Sequence, residues 1–107
     1  MKIAELASRA DDAAELLAAM ANPKRLLILC NLLDGELSVG ELSERVQLGQ
    51  SPLSQHLSKL RALRLVATRR EGQMILYRLA SQSVASVLTT LYGIYCEPAD
   101  KQTERTK

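Results

Sequence analysis

The sequence predicts a mainly α-helical fold with one small β-hairpin, in the order α-α-α-α-β-β-α. Apolar residues recur at helical spacing over several stretches that begin at capping residues, and residues 65–79 change to a β-rich run around Glu71-Gly72. The chain has 107 residues, of which 47% are hydrophobic and 24% are charged, which is the composition of one globular domain. We therefore expect a single domain over residues 1–96, followed by a mobile charged tail over residues 97–107.

Two helices are predicted for the first third of the chain. Residues 3–21 place apolar residues at spacings of three and four, which predicts one amphipathic helix with an Ala-rich seam. Asn22 and Pro23 then have the form of an N-cap followed by proline at the first helical position. The helix that follows, through Leu33, is apolar on all sides, so we expect it to be central and buried until Asp34-Gly35 ends it.

The middle of the chain predicts a helix, a short turn and a second helix. Ser38 and Glu41 have the spacing of a capping box, which opens a short helix ending at Val46. Ser51 and Pro52 are predicted to start the next helix as its N-cap and first residue. Three leucines at positions i, i+4 and i+7 give that helix one apolar face: Leu53, Leu57 and Leu60.

A hairpin and a last helix complete the predicted fold. Residues 65–70 and 73–79 predict two strands joined at Glu71-Gly72. Ser81 is predicted to cap a final helix whose apolar stripe consists of Val84, Val87, Leu88, Leu91 and Tyr95. A helix-turn-helix followed by a hairpin is a winged helix-turn-helix, in which the second helix enters the major groove of DNA and the hairpin lies over the flanking backbone.

Positive charge is concentrated in one segment, although the net charge is only +2. Residues 59–78 hold six basic side chains and one acidic one, whereas residues 1–58 hold five basic and eight acidic side chains. This distribution predicts a polyanion contact, with an ordinary solvated face as the alternative. The chain has no Trp or Phe and three Tyr, so it lacks the aromatic platforms that bind single-stranded nucleic acid. Double-stranded DNA is therefore the expected partner.

Small polar side chains lie opposite the three leucines of the second helix of this pair. Gln55 can form two hydrogen bonds with adenine, and the serines can reach phosphates or bases. Arginines near the tip of the hairpin can approach phosphates without desolvating a core. The predicted DNA-binding residues are Ser51, Ser54, Gln55, Ser58, Lys59, Arg69 and Arg70. For any one serine, a cap or a solvated helix face is the commoner role, and we expect His56 to be packed or to contact phosphate.

Four motifs occur together in this chain, at residues 20–26, 41–42, 51–60 and 68–73. Through them, residues 12–96 resemble the ArsR-type family of bacterial winged-helix repressors. The resemblance implies a homodimer in which the first and last helices form the interface. It also implies binding to palindromic operator DNA, and release from that DNA when an inducer is sensed.

The ligands that metal-sensing members of this family use are missing from this chain. Those members typically carry Cys-x-Cys in the third helix or a set of His and Asp on the last helix. Here the corresponding stretch is Ser38-Val39-Gly40, and the last helix has no His. A zinc, arsenic or copper site needs about three or four thiolate or imidazole ligands. With two Cys and one His in the chain, we expect no metal and no other cofactor.

Cys30 and Cys96 resemble in their placement the cysteine pair of the family's dithiol branch, the regulators of sulfide oxidation, biofilm and haemolysin genes. The resemblance implies that persulfides or other oxidants join the two cysteines through a disulfide or polysulfide bridge. The alternative for Cys30 is a small buried residue among Leu29 and Leu33. Cys96 precedes a polar segment, so it is less expected than Cys30 to be a core residue.

We expect a cytoplasmic transcriptional repressor that reactive sulfur species or oxidants release from DNA, and that is not an enzyme. The chain has no run of about 18 apolar residues and no apolar signal core, so neither membrane insertion nor secretion is predicted. Two alternatives stay open. One is an anti-silencing or architectural DNA-binding regulator without a thiol switch. The other, a thiol enzyme such as a small peroxidase, is poorly supported because no His or Arg adjoins Cys30 to activate it.

Overall fold

The structure is a computed structural model that describes residues 1–96, so the tail predicted at residues 97–107 lies outside the described residues. The described elements are α1 Ile3–Ala7, α2 Ala10–Met20, α3 Pro23–Leu33, β1 Leu37–Ser38, α4 Val39–Val46, α5 Gln50–Ala62, β2 Val66–Glu71, β3 Met74–Leu79 and α6 Gln82–Tyr95. The strands form one antiparallel sheet in the order β1-β3-β2. Since α4 and α5 form the helix-turn-helix and β2 and β3 form the wing, the predicted fold class is confirmed.

The N-terminal segment forms two helices, so the prediction of one continuous helix over residues 3–21 is wrong. The chain breaks at Ser8 and Arg9, where the Ser8 hydroxyl donates to the carbonyl oxygen of Glu5 at 2.8 Å. Such a side-chain bond to the backbone competes with the helix ladder. No residue of α1 is buried, so core packing does not hold α1 in line with α2.

Helix α3 begins at its predicted cap. The Asn22 side chain accepts hydrogen bonds from the backbone N–H groups of Lys24 at 2.9 Å and Arg25 at 3.1 Å, and Pro23 is the first helical residue. The prediction that α3 is buried on all sides is wrong, because it packs on the core through one side only. Three of its apolar residues are buried, Ile28, Leu29 and Leu32, whereas two are exposed, Leu27 and Leu33.

Helix α4 opens with the predicted capping box. Ser38 Oγ accepts from the backbone N–H of Glu41 at 3.2 Å, and the Glu41 carboxylate accepts from the backbone N–H of Ser38 at 2.9 Å. These two reciprocal bonds satisfy donors that a helix start otherwise leaves open. They fix α4 at the position from which its buried residues, Leu42 and Val46, enter the core.

The turn between α4 and α5 places the start of α5 earlier than predicted. Gln47 ends α4 in the left-handed conformation, and α5 begins at Gln50 with Gly49 as its N-cap. Ser51 and Pro52 are therefore the second and third residues of α5, and the prediction of a Ser51 cap is wrong. Proline is tolerated there because the first-turn N–H groups have no partner within the helix. The predicted apolar face is confirmed by three buried leucines: Leu53, Leu57 and Leu60.

The predicted hairpin is present, with β2 and β3 paired along six residues each, but the turn predicted at Glu71-Gly72 lies one residue later, at Gly72 and Gln73, because Glu71 pairs with Met74. Gly72 turns the chain at φ 64°, a left-handed conformation that glycine adopts without a steric penalty. A third strand, β1, was not predicted: Leu37 pairs with Tyr77 and Ser38 with Leu76. Two residues are too few for strand alternation to be recognised in a sequence.

Helix α6 begins at its predicted cap, since Ser81 Oγ accepts from the backbone N–H of Val84 at 3.1 Å. Its apolar stripe divides along the helix: Val84 and Leu88 enter the core, whereas Tyr95 is exposed. Within residues 1–96, no single helix is long and apolar enough to cross a membrane. Helices α2 and α3 reach that length and composition only as a pair bent by 93°.

Candidate DNA-binding surface and thiol cleft

One side of α5 is an open depression lined by polar side chains, which we call the reading face. Its residues are Gln50, Ser51, Ser54, Gln55, Ser58 and Lys59. All of them are exposed, whereas the leucines on the other side of the helix are buried. Side chains of this size leave room for the edge of a base pair, and the amide of Gln55 can donate to it and accept from it. The reading face includes every residue predicted on α5. It also includes Gln50, which was not predicted because the helix was expected to begin at Ser51.

Arg69 and Arg70 are exposed on β2, on opposite faces of the sheet because successive strand residues alternate. Arg69 Nε donates to the two carboxylate oxygens of Glu36 at 2.9 and 3.0 Å, and Arg69 Nη2 donates to Glu71 at 3.5 Å. These interactions with Arg69 hold the pKa of Glu36 below its usual range. A contact between Arg69 and a DNA phosphate would therefore have to replace Glu36.

His56 lies half-buried on α5, next to Gln55. Its Nδ1 accepts a hydrogen bond from Nε of Arg25 at 3.3 Å, and Nη1 of Arg25 donates to the carbonyl oxygen of Ala19 at 3.2 Å. Burial, followed by the positive charges of Arg25 and Lys59, lowers the pKa of His56 below its ordinary value. His56 is thus packed against α3, as expected, but no sequence pattern identified Arg25 as its partner.

Cys30 on α3 and Cys96 after α6 lie in one apolar cleft, which we call the thiol cleft. Its lining residues are Leu26, Cys30, Leu88, Leu91, Tyr92, Tyr95 and Cys96. Both cysteines are free thiols and both are exposed. The alternative in which Cys30 is buried among Leu29 and Leu33 is therefore wrong, because α3 turns Cys30 away from the core.

The surroundings of Cys30 raise the pKa of its thiol. The walls of the cleft shield part of the sulfur from water, which disfavours the thiolate, and the charge of the Cys96 thiolate adds to this effect. Both residues line the same cleft, so their thiols share one apolar surrounding. Among residues 1–96, no group of three or more His, Cys, Asp or Glu side chains could hold a metal ion. The chemistry that the cleft offers is that of a dithiol.

A helix-turn-helix with an exposed polar face on its second helix, beside a hairpin wing, defines a winged-helix DNA-binding protein. Residues 22–68 match the family described as bacterial regulatory protein, arsR family. The transcriptional activator HlyU of Vibrio cholerae is 50% identical over 97 residues, which span 91% of this chain and 90% of HlyU. The chain belongs to the arsR family and is a DNA-binding transcriptional regulator.

Solved structures have the same fold. The transcriptional repressor BigR from Xylella fastidiosa superposes with a TM-score of 0.86 at 41% identity, over 90% of this chain and 98% of BigR. Reduced HlyU from Vibrio cholerae superposes with a TM-score of 0.80 at 52% identity, over 86% of this chain and 97% of HlyU. The homodimeric winged helix-turn-helix domain of Mb0332 from Mycobacterium bovis superposes with a TM-score of 0.73 at 31% identity, over 92% of this chain and 88% of that domain.

Proposed function

We propose that this protein is a homodimeric transcriptional repressor of the cytoplasm that leaves its operator when persulfides or other oxidants join Cys30 to Cys96. The observation that carries the proposal is the shared thiol cleft, which brings together two cysteines from distant parts of the chain. The reading face lies on a different surface, on α5. The protein thus has separate places for a chemical signal and for DNA, and we propose no catalytic activity for it.

The bridge forms in two balanced steps. A cysteine thiolate attacks the outer sulfur of an organic persulfide, takes up that sulfur and releases the organic thiolate. The second cysteine thiolate then attacks the inner sulfur of the new cysteine persulfide, which closes the disulfide and releases hydrosulfide. Two cysteine thiols are oxidised, and the persulfide is reduced to a thiol and sulfide. A further sulfur transfer before closure leaves a longer polysulfide bridge.

Cys96 takes the first sulfur in this scheme. Both thiols are exposed, but the raised pKa of Cys30 disfavours the Cys30 thiolate. Cys30 then acts as the resolving thiol, since its position in the same cleft offsets its lower reactivity through proximity. The reaction needs no metal or cofactor.

Contacts with both bases and phosphates are proposed for the DNA complex. Gln55 and the serines of the reading face contact base edges or nearby phosphates, and Lys59 and Arg70 contact phosphates. Arg69 can join them only when it leaves Glu36. Binding as a homodimer is supported by the homodimeric Mb0332 domain and by exposed apolar residues on α1, α2 and α6: Ile3, Leu6, Leu17, Tyr92, Ile94 and Tyr95. A monomer would leave these apolar side chains in water.

The switch is tested with an operator duplex selected from a random-sequence library by the reduced protein. Glutathione persulfide should weaken binding of the native protein to this selected duplex by about 100-fold, and dithiothreitol should restore it. Cys30→Ser and Cys96→Ser should each bind the selected duplex, and persulfide should not change their affinity for it, because one thiol cannot close a bridge. Intact-mass analysis identifies the bridge. Normal release of either variant by persulfide contradicts the dithiol mechanism.

The reading face is tested with Gln55→Ala. Loss of a two-bond contact to a base should weaken binding to the selected duplex by about 1–3 kcal/mol and relax specificity, with little change on a scrambled duplex of equal length. Gln82→Ala, at an exposed glutamine that begins α6, is the matched control. If Gln55→Ala weakens both duplexes equally, α5 does not read the sequence in the proposed way.

A regulator without a thiol switch is the second candidate. HlyU is named an activator and BigR a repressor, so relatives of similar fold differ in how they act on transcription, and an anti-silencing role is the alternative to repression. An anti-silencing or architectural protein of this kind would bind the selected duplex equally well before and after persulfide. Turnover of peroxide or persulfide by the pure protein would instead indicate a thiol enzyme.

A further inference from the structure

The guanidinium of Arg25 lies where three helices meet. Arg25 belongs to the first turn of α3, donates through Nη1 to the carbonyl oxygen of Ala19 in α2, and donates through Nε to Nδ1 of His56 in α5. Both bonds are partly buried. This one side chain therefore adds a polar link between the helix that carries the reading face and helices α2 and α3.

The bond between Arg25 and His56 fixes the protonation state of the imidazole. A guanidinium can only donate hydrogen bonds, so Nδ1 of His56 must present its lone pair, and the single ring proton lies on Nε2. A second proton, on Nδ1, would remove the acceptor. It would also place two positive charges at hydrogen-bonding distance, with Lys59 adding a third charge nearby.

We propose that Arg25 is a positioning residue for DNA recognition, which holds α5 in its binding position through the neutral ring of His56. Gln55 precedes His56 in the chain, so release of the ring displaces the side chain that is proposed to read a base. The inference rests on the proposed role of the reading face but not on the thiol switch. It makes binding to the operator sensitive to protons as well as to oxidants.

The charges around His56 set the pH range in which this sensitivity appears. Those that act on it within residues 1–96 are Arg25 on α3 and Lys59 on α5. The group on α2, the carbonyl oxygen of Ala19, accepts from Arg25 and carries no net charge. Burial is the largest cause of the shift, and the two positive charges add to it, so the pKa of His56 lies below the ordinary 6.5. His56 is the only histidine in the chain, which makes it the one imidazole that titrates in a pH experiment.

The first test compares the selected and scrambled duplexes at two pH values with the reduced native protein. Affinity for the selected duplex should fall severalfold between about pH 7.5 and about pH 5, mostly below pH 6.5, because the hydrogen bond is lost on protonation. Affinity for the scrambled duplex should stay level or rise, since a new positive charge favours phosphate binding. A rise on both duplexes would identify His56 as a phosphate contact and overturn the proposal.

The second test uses variants of the two residues. In His56→Gln, the side-chain carbonyl can accept from Arg25 without titrating, so this variant should keep most of its affinity at about pH 7.5 and lose the pH dependence. Arg25→Ala should bind the selected duplex about tenfold more weakly than the native protein and show little pH dependence. Arg9→Ala, which removes an exposed arginine just before α2, controls for the loss of one charge.

The same variants distinguish a positioning role of Arg25 from a simple effect of its charge. Equal weakening of both duplexes by Arg25→Ala would show that Arg25 acts as a general positive charge. Retention of the full pH dependence by His56→Gln would show that another group titrates. If Gln55→Ala fails its own test while the His56 results hold, the proposed reading of bases is wrong but the attachment of α5 by Arg25 stands. Circular dichroism of each variant at both pH values checks that the helices are intact.

Discussion

One carboxylate is paired with an arginine of the wing. Glu36 lies just before β1 and holds Arg69 through both of its oxygens. We predict that Glu36→Gln frees Arg69 for a phosphate contact, which should make the salt dependence of DNA binding steeper by about one unit of log K per log salt. The gain should be similar on selected and scrambled duplexes, because phosphate contacts carry no sequence information.

Two further variants decide whether Arg69 is engaged before Glu36 is removed. Arg70→Ala should make the salt dependence shallower by about one unit, whereas Arg69→Ala alone should change it little. The double variant Glu36→Gln with Arg69→Ala should return close to the native slope. If Arg69→Ala alone removes a full unit and Glu36→Gln adds none, Arg69 already contacts phosphate in the native complex.

These residue-level contacts differ in how far a sequence can reveal them. The exposure of Ser54, Gln55 and Ser58 follows from the spacing of the leucines on the same helix, so local periodicity predicted it. The bonds from Arg25 to His56 and from Arg69 to Glu36 join residues that are 31 and 33 positions apart. Their formation depends on how helices and strands pack, which no local pattern contains.

At the scale of a single element, the start of α3 is stabilised by its N-cap, Asn22. Asn22 accepts two backbone N–H bonds, from Lys24 and Arg25, and both donors lose their partner in Asn22→Ala. We predict that this change lowers the free energy of unfolding by about 1–2 kcal/mol, measured by urea denaturation, whereas Asn22→Asp retains most of the stability because aspartate caps as well. An unaltered stability of Asn22→Ala would show that packing alone sets the start of α3.

The element boundaries show which parts of the fold local chemistry determines. The caps at Asn22, Ser38 and Ser81 were predicted correctly, because an N-cap and its donor lie within three residues of each other. The break at Ser8, the start of α5 at Gln50 and strand β1 were not predicted. Packing contributes to these boundaries: α1 has no buried residue to align it, and β1 exists only because β3 lies beside it.

At the scale of the whole molecule, helix α6 belongs both to the thiol cleft and to the proposed dimer interface. Cys30 belongs to α3, which packs against α2, α4, β3 and α6, and Cys96 ends the helix that carries Tyr92 and Tyr95. A covalent link across the cleft would fix α6 against α3 and alter the surface on which two copies meet. The common cleft could be suggested from the sequence only through the family resemblance, because spacing along the chain does not show how α3 and α6 pack.

Two copies of the chain are expected to meet through the exposed apolar side chains of α1, α2 and α6. We expect a two-fold dimer with its two α5 helices about 34 Å apart, one turn of DNA, so that both reach half-sites on one face of the duplex. Leu17 is 55% exposed on α2, and Leu17→Asp should give a monomer by light scattering at micromolar concentration. Its binding to the selected duplex should fall by about 100-fold or more, because the second half-site is no longer bound as part of one molecule.

A duplex that carries only one half-site separates this loss from damage to α5, since Leu17→Asp and the native protein should bind it with similar affinity. Met74→Asp, at an exposed methionine beside the turn of the wing, introduces the same charge on an element outside the proposed interface and should remain dimeric. A native protein that is monomeric at micromolar concentration would contradict the assembly. A Leu17→Asp variant that binds the half-site far more weakly than the native protein does would show that the substitution acts on the domain itself, because dimerisation contributes nothing to a single half-site.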